Sequence, residues 1–316
     1  MAQIDINKIH QQFRKHYSEN LEENVSALKN ISQALGDIID SLAEAKIEVP
    51  SWKYHLQTLI SKILFTSNSI IKLCDGYELQ SLNQPEMKVN IVDYQSIFIL
   101  CRALIENYVT LCYIYNNNLA EEEKLFRYKI WAVSGLITRQ NFNVAKSKTN
   151  QVKKEEEAIL IEKILTEIKQ TKEFISLDKN KLRKLRTFGL PRIESWQNLI
   201  DESNLNPKLF KSIYSYFSNY SHSEYISILQ IGQSNLNAKN SGNISQVMLA
   251  LSVVRIINAL SIKFYSSSFK PAENIYVAFQ DTLRVAIDIW AKIGDKNTTP
   301  NSNALRQAGF SANIKH

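Results

Sequence analysis

Apolar positions recur every three or four residues along nearly the whole chain, the period of an amphipathic helix. From about Asp5 to Lys46 the pattern predicts a long, mostly polar helical segment, which Pro50 breaks. "PSWKYHLQTLISKILFTSNSIIKLC" then restarts with proline and serine, which favour a helix N-terminus. A loop is expected around "DGYELQSLNQPE". Val89 to Tyr115 follows, with apolar residues around almost the whole helical wheel, so other helices are expected to surround it. "NNNLAEEEKLFRYKIWAVSGLITRQNF" predicts another helix, whose acidic first turn suits the positive end of the helix dipole.

Gln151 to Arg186 differs in kind. It is highly charged with a thin apolar stripe, and predicts a solvent-exposed helix or helical pair projecting from the body. Gly189 and Pro191 in "TFGLPRIESW" are the clearest non-helical punctuation. Asn206 and Pro207 then supply an N-cap and a first helical position for one helix running through "KLFKSIYSYFSNYSHSEYISILQI". The run "ISQVMLALSVVRIINALSIKFY" is apolar enough to raise a membrane crossing. Arg255 at its middle, followed by Asn258 and Lys263, would be costly in a bilayer, so a buried central helix is expected instead. "PAENIYVAFQDTLRVAIDIWAKIG" gives the last helix.

These elements predict an all-α fold: an irregular bundle of about eight to ten helices with a charged helical protrusion near 150–187 and no strand. A single helical domain is expected over 1–293, with peripheral N-terminal helices at 5–46 and a core at 51–293. Residues 294–316 lack periodicity and are expected to form a flexible tail.

Composition supports helices over turns, with only 8 glycines and 6 prolines among 316 residues. Three cysteines, Cys74, Cys101 and Cys112, lie in apolar helical contexts. An odd count with no C-x-x-C fits free thiols in a reducing, cytoplasmic setting and gives no zinc pattern. The polar N-terminal stretch lacks the apolar core of a signal peptide. No membrane association and no cofactor or metal are expected. The net charge of +7 permits an anionic partner such as RNA. "KNKLRKLR" concentrates five positive charges in eight residues: Lys179, Lys181, Arg183, Lys184 and Arg186. That run could contact phosphates, and could equally be a solvated face.

Some polar groups are not explained by packing. Arg102 and Glu106 sit i,i+4 on the apolar helix, where burying either charge alone would be expensive. In "YSYFSNYSHSEY", Tyr214, Ser218 and His222 share one helical face at i, i+4 and i+8. Phe210, Ile213, Phe217 and Tyr220 form the neighbouring apolar face. Two readings follow: a site in which Arg102, Glu106 and His222 meet, or an internal network that ties helices together. Arg255 is a further candidate partner for Glu106. The separation of Arg102 and His222, and their exposure, distinguish the readings.

The R-x-x-x-E of "CRALIENYVTLCYIY" and the Y-x-x-x-S-x-x-x-H of "YSYFSNYSH" resemble a family of uncharacterised bacterial helical proteins over residues 90 to 230. More distantly the chain resembles the HEPN superfamily, many of whose members are metal-independent ribonucleases in toxin–antitoxin, abortive-infection and CRISPR-linked systems. HEPN nucleases share an R-x(4–6)-H motif at a dimer interface. Here the corresponding positions before His222 hold Phe217, Tyr216 and Ser215, so an arginine must come from elsewhere, and Arg102 is the candidate. The resemblance implies RNA binding or cleavage, with His222 as acid/base, Arg102 stabilising phosphate charge, and Glu106 holding Arg102. Ser218 and Tyr214 would orient the imidazole or substrate, and a homodimer could complete the site. The alternative is a non-enzymatic interaction module in which the charged helices of 150–187 dock a protein partner.

Overall fold

The computed structural model describes residues 20–143, 147–236 and 241–298. Along the chain come α1 (Leu21–Ala45), a short 3-10 turn (Ser51–Lys53), α2 (Tyr54–Leu73), β1 (Tyr77–Gln80), β2 (Lys88–Ile91), α3 (Tyr94–Tyr115), α4 (Glu121–Gln140) and α5 (Lys148–Lys169). Then follow α6 (Lys172–Ile175), α7 (Lys179–Phe188), α8 (Trp196–Glu202), α9 (Pro207–Ser221), α10 (Tyr225–Leu236), α11 (Ser241–Ser268), α12 (Lys270–Ala278) and α13 (Asp281–Gly294). The fold is all-α, as the periodicity predicts. The tail expected over 294–316 is corrected at its start: Gly294 ends α13, Asp295 pairs with Leu205, and the Lys296 amide donates to the Asn204 carbonyl at 2.9 Å. The remainder from 299 and the first turns of the expected N-terminal helix lie outside the described residues.

The chain divides into two compact units. One joins residues 1–110 to 204–316, and the other is the intervening 111–203. The first is built around α11, whose Val253, Val254, Ile256, Ile257 and Ile262 are fully buried. Its main partners are α1, α2, α12 and α13. Asn20 caps α1 by accepting from the Glu22 and Glu23 amides. Leu28, Ile31, Leu35 and Ile38 then present a continuous buried stripe. The segment expected at the periphery therefore forms part of the core, because its narrow stripe meets the most apolar helix of the chain.

Polar groups inside this core are mutually bonded. The Asn258 amide donates to Ser32 Oγ at 3.0 Å, and its carbonyl accepts from Ser67 Oγ at 2.8 Å. Arg255 does not reach Glu106. Its Nη2 donates to the backbone carbonyl and the side-chain oxygen of Asn24, both at 2.6 Å, and its guanidinium lies 5.1 Å from the centre of the Trp290 ring. A fully buried arginine is thus held by a carbonyl, an amide and an indole face.

The expectation of no strand is corrected. The segment read as a loop forms an antiparallel hairpin with Tyr77 opposite Ile91 and Leu79 opposite Val89. The predicted helix start at Val89 moves to Tyr94, where Asp93 accepts from the Ser96 amide at 3.0 Å. Alternation of Tyr77 and Leu79 with Glu78 and Gln80 is a period-2 signal, but four residues per strand are too few to stand out among helices.

The second unit explains the charged stretch. Ile161, Leu165 and Ile168 of α5 pack with Phe126, Ile130 and Val133 of α4 and Leu185 of α7. The thin stripe therefore belongs to a small core of its own. Gly189 closes α7 with φ +78°, and a Cβ there would stand 2.9 Å from the Ser134 carbonyl oxygen. Gly189→Ala combines left-handed strain with that clash and is expected to cost about 1–3 kcal/mol. Hydrogen exchange should accelerate in α4, α5 and α7 while α11 keeps its protection.

Two helices, Tyr94–Tyr115 and Ile244–Ser268, have the length and apolarity to cross a membrane. Of those windows 72% and 78% respectively is buried inside the fold, as befits core helices.

Candidate functional site

The strongest constellation lies entirely within the first unit, on α3 and α9. Arg102 and Glu106 face the same way one turn apart on α3, with Arg102 Nε 3.2 Å from Glu106 Oε1. The same carboxylate oxygen accepts from the Tyr214 hydroxyl at 2.8 Å. The Arg102 guanidinium also stands 5.5 Å from the centre of the Tyr214 ring. The far edge of the guanidinium reaches His222, with Nη1 2.9 Å from Nε2. Arginine only donates, so Nε2 accepts, and the proton of the neutral imidazole sits on Nδ1.

α9 positions its members by a conventional start and an unconventional stop. Asn206 caps it by accepting from the Lys208 amide at 3.1 Å, with Pro207 at the first position. Phe210, Ile213 and Phe217 are buried, and Phe98 of α3 packs 4.7 Å from Phe217 and 4.9 Å from Tyr220, ring centre to ring centre. These rings lock α9 against α3 and carry Tyr214 to Glu106. The core assignment of Phe217 and Tyr220 therefore holds.

The helix expected to run on through His222 ends there. His222 is the C-cap, its amide donating to the Ser218 carbonyl at 3.3 Å, and Ser223 adopts a left-handed conformation with φ +53°. A second helix, α10, begins at Tyr225. The sequence signal is three consecutive weak helix formers, the "SHS" of "SHSE", without the glycine or proline that usually marks a break. The stop leaves His222 exposed instead of folded against the body.

Exposure separates the two sequence readings. The side chains of Arg102 and Glu106 are 20% and 26% exposed, so the cluster opens to solvent and is not sealed. Burial first, and then the Glu106 carboxylate, raise the Tyr214 phenol above its ordinary range, which keeps it a neutral donor to Glu106. Ser218 plays a different part from the one expected. Its hydroxyl donates to the Tyr214 carbonyl at 2.7 Å and does not touch the imidazole. Four of the five candidates thus come together as side chains, and Ser218 contributes backbone.

The basic candidates lie on α7, in the second unit. Lys179, Arg183 and Lys184 are exposed, whereas Lys181 is held by Glu194 at 2.8 Å. The Arg186 side chain lies outside the described residues. Asp178 caps this helix by accepting from the Lys181 amide.

Other chemistry is less favoured. Burial pushes the Cys74 thiol up to about 12 and the Cys101 thiol well above its usual range, so neither is a ready thiolate. Among the described residues no three His, Cys, Asp or Glu side chains gather as metal ligands would. A cleft of about 300 Å³ elsewhere in the first unit, lined by Asn30, Gln33, Asp37, Gln280 and Thr282 among others, holds none of the candidate residues.

A protein-family model described as a family of unknown function, DUF5677, matches residues 53–240. No curated protein and no solved structure matches.

Proposed function

The chain belongs to the DUF5677 family, whose matched span holds both halves of the Arg–Glu–Tyr–His cluster, and from that premise we propose that it is an HEPN-like, metal-independent RNA-cleaving protein. The observation that carries the proposal is the 2.9 Å approach of Arg102 Nη1 to an exposed His222 Nε2. A phosphodiester entering at this point would replace that contact. One non-bridging oxygen would take the guanidinium, and Nε2 would be free to accept the proton of the neighbouring ribose 2′-hydroxyl. The 2′-oxygen would bond to phosphorus as the bond to the 5′-oxygen breaks. The imidazolium would then return its proton to that leaving oxygen. Products are a 2′,3′-cyclic phosphate and a 5′-hydroxyl, and the proton balance closes without a metal.

Glu106 and Tyr214 act through Arg102. They occupy its Nε side and ring face, leaving the Nη1 edge for the substrate. Lys179, Arg183 and Lys184 on α7 are a further exposed cationic strip suited to the RNA backbone. The resemblance adds a defence or toxin-type role, and free buried thiols suit a cytoplasmic setting.

The test is cleavage of total RNA in the presence of EDTA by wild type and His222→Ala. Cleavage is expected to fall about 100-fold or more in the variant, the range for losing an acid/base group. Its unfolding free energy should stay within about 0.5 kcal/mol, because an exposed side chain away from the core is removed. No cleavage by wild type, or equal cleavage by both, would sink the proposal.

A second reading has its own support. The Tyr214–Glu106–Arg102 chain of contacts ties α9 to α3 with no substrate needed, as in a non-enzymatic interaction module. The charged helices near 150–187 would then dock a protein partner. On that reading His222→Ala changes no RNA and shifts only the melting temperature.

A further inference from the structure

Two apolar faces in the first unit are turned to solvent, and each is built in a way that calls for cover. The first belongs to the hairpin. Tyr77 and Leu79 of β1 and Val89 of β2 share one side of the strand pair and are each about half exposed. Met87 beside them is also exposed, and Leu82 at the tip is 98% exposed. The opposite side is polar, with Lys88 paired to Glu78 at 2.9 Å. The hairpin packs mainly on itself. A two-stranded ribbon with nothing on its apolar side is at best marginal in water.

The second face is α10, an amphipathic helix placed inside out. Tyr225 is 78% exposed, and Ile226, Ile228 and Leu229 also face solvent. Polar Ser227 is buried, and Gln230 accepts from the Tyr220 hydroxyl at 2.7 Å on the inner side. Spacings of one, three and four residues put the four apolar side chains on one outward stripe.

We propose that these faces cover one another between two copies of this chain: the hairpin of each copy lies on α10 of the other. Three observations select this occupant. The shapes are complementary, because an apolar sheet face is ordinarily covered by a helix presenting an apolar stripe, and the described part of the first unit exposes both. Neither face holds a lysine or arginine, and Glu224 is the one charged residue from Ser212 to Leu236, so an RNA or an acidic partner finds no attraction there. The area suffices. Nine part-exposed apolar side chains at about 100 Å² each give roughly 900 Å² per copy, against ~800 Å² per partner in a standard stable interface. Two different faces on each copy close under a two-fold axis, with hairpin on helix twice. The interface does not depend on the RNA reading.

The test is sedimentation equilibrium of the full chain with variants at exposed positions. Wild type is expected to be a dimer at micromolar concentration. A hairpin variant, Leu79→Asp/Val89→Asp, and a helix variant, Ile228→Asp, should each be weakened at least about 100-fold and run as monomers. An equimolar mixture of the two should associate more tightly than either variant alone, because one of the two contacts then joins an undamaged hairpin to an undamaged helix. Circular dichroism checks that each variant is folded. Leu82→Glu, at a nearly fully exposed tip, replaces the double variant if that one unfolds. A wild type that stays monomeric at about 0.1 mM overturns the proposal, since a standard interface would assemble there. So does a dimer indifferent to either variant. A mixture that associates no more tightly than either variant alone overturns it too, because hairpin and helix would then not be each other's partners.

Discussion

Trp290→Ala is expected to destabilise the protein by about 3–5 kcal/mol, the range for emptying a large buried aromatic site. Trp290 is 1% exposed on α13. Its ring also covers the guanidinium of Arg255, whose remaining contacts include the Asn24 carbonyl and amide oxygen. Truncation therefore removes core volume and uncovers a charge in a place that water cannot easily fill. Trp290→Phe keeps an aromatic face and should cost less than half as much. Urea unfolding reads the difference as a shift in midpoint at constant slope. Arg255→Met is the informative partner. Methionine fills a similar volume but removes both bonds to the fully buried Asn24, so that variant is expected to lose about 1–3 kcal/mol. Stability equal to wild type would instead show that the cost of burying the charge cancels those bonds.

On the proposed ribonuclease reading, Arg102→Lys is expected to lower RNA cleavage by about 100- to 1000-fold, although it conserves charge. The reason is geometric. One guanidinium meets Glu106 through Nε and His222 through Nη1 while lying near the Tyr214 ring. A single ammonium is a point donor that must choose between the carboxylate and the phosphate. Glu106, the nearer anion, would hold it back from the substrate. Stability should change by less than about 1 kcal/mol, because both partners remain partly solvated. Adding Glu106→Gln to Arg102→Lys should return part of the lost rate by releasing the lysine. A purely structural tie predicts the opposite: a falling melting temperature in each variant and no rate to recover.

Much of this was legible in the sequence, for reasons that can be stated residue by residue. Helical periodicity is a local property, so α2, α3 and α11 could be located from their own side chains. Phe217 and Tyr220 could be assigned to the core because the apolar and polar faces of α9 separate at 3.6-residue spacing. The pairing of Arg102 with Glu106 follows from i,i+4 geometry alone. What could not be read depended on neighbours. Whether Arg102 is sealed or open is decided by where α9 stops, and "SHSE" stops it without glycine or proline. The role of Ser218 turns on a competition its sequence position does not resolve: the hydroxyl prefers its own helix carbonyl to the imidazole. The partner of Arg255 lies over two hundred residues away, at Asn24. The hairpin escapes a sequence reading because its strands are short and its apolar face is exposed, which removes the burial that normally confirms a strand.

The division of the chain also governs the order in which it can be completed. The first unit is discontinuous: residues 111–203 are made between its halves. Its most buried helix, α11, comes late, and bonds back to α1 through Asn24 and Ser32. During synthesis the stripe of Leu28, Ile31, Leu35 and Ile38 has α2 beside it early, but its α11 partners emerge some 230 residues downstream, about 10–50 s later at ordinary translation rates. The inserted unit has its core residues between 126 and 185 and can close within that interval. The nascent chain thus assembles its middle first and its ends last. The long-range closure that finishes it is the kind of contact that slows folding.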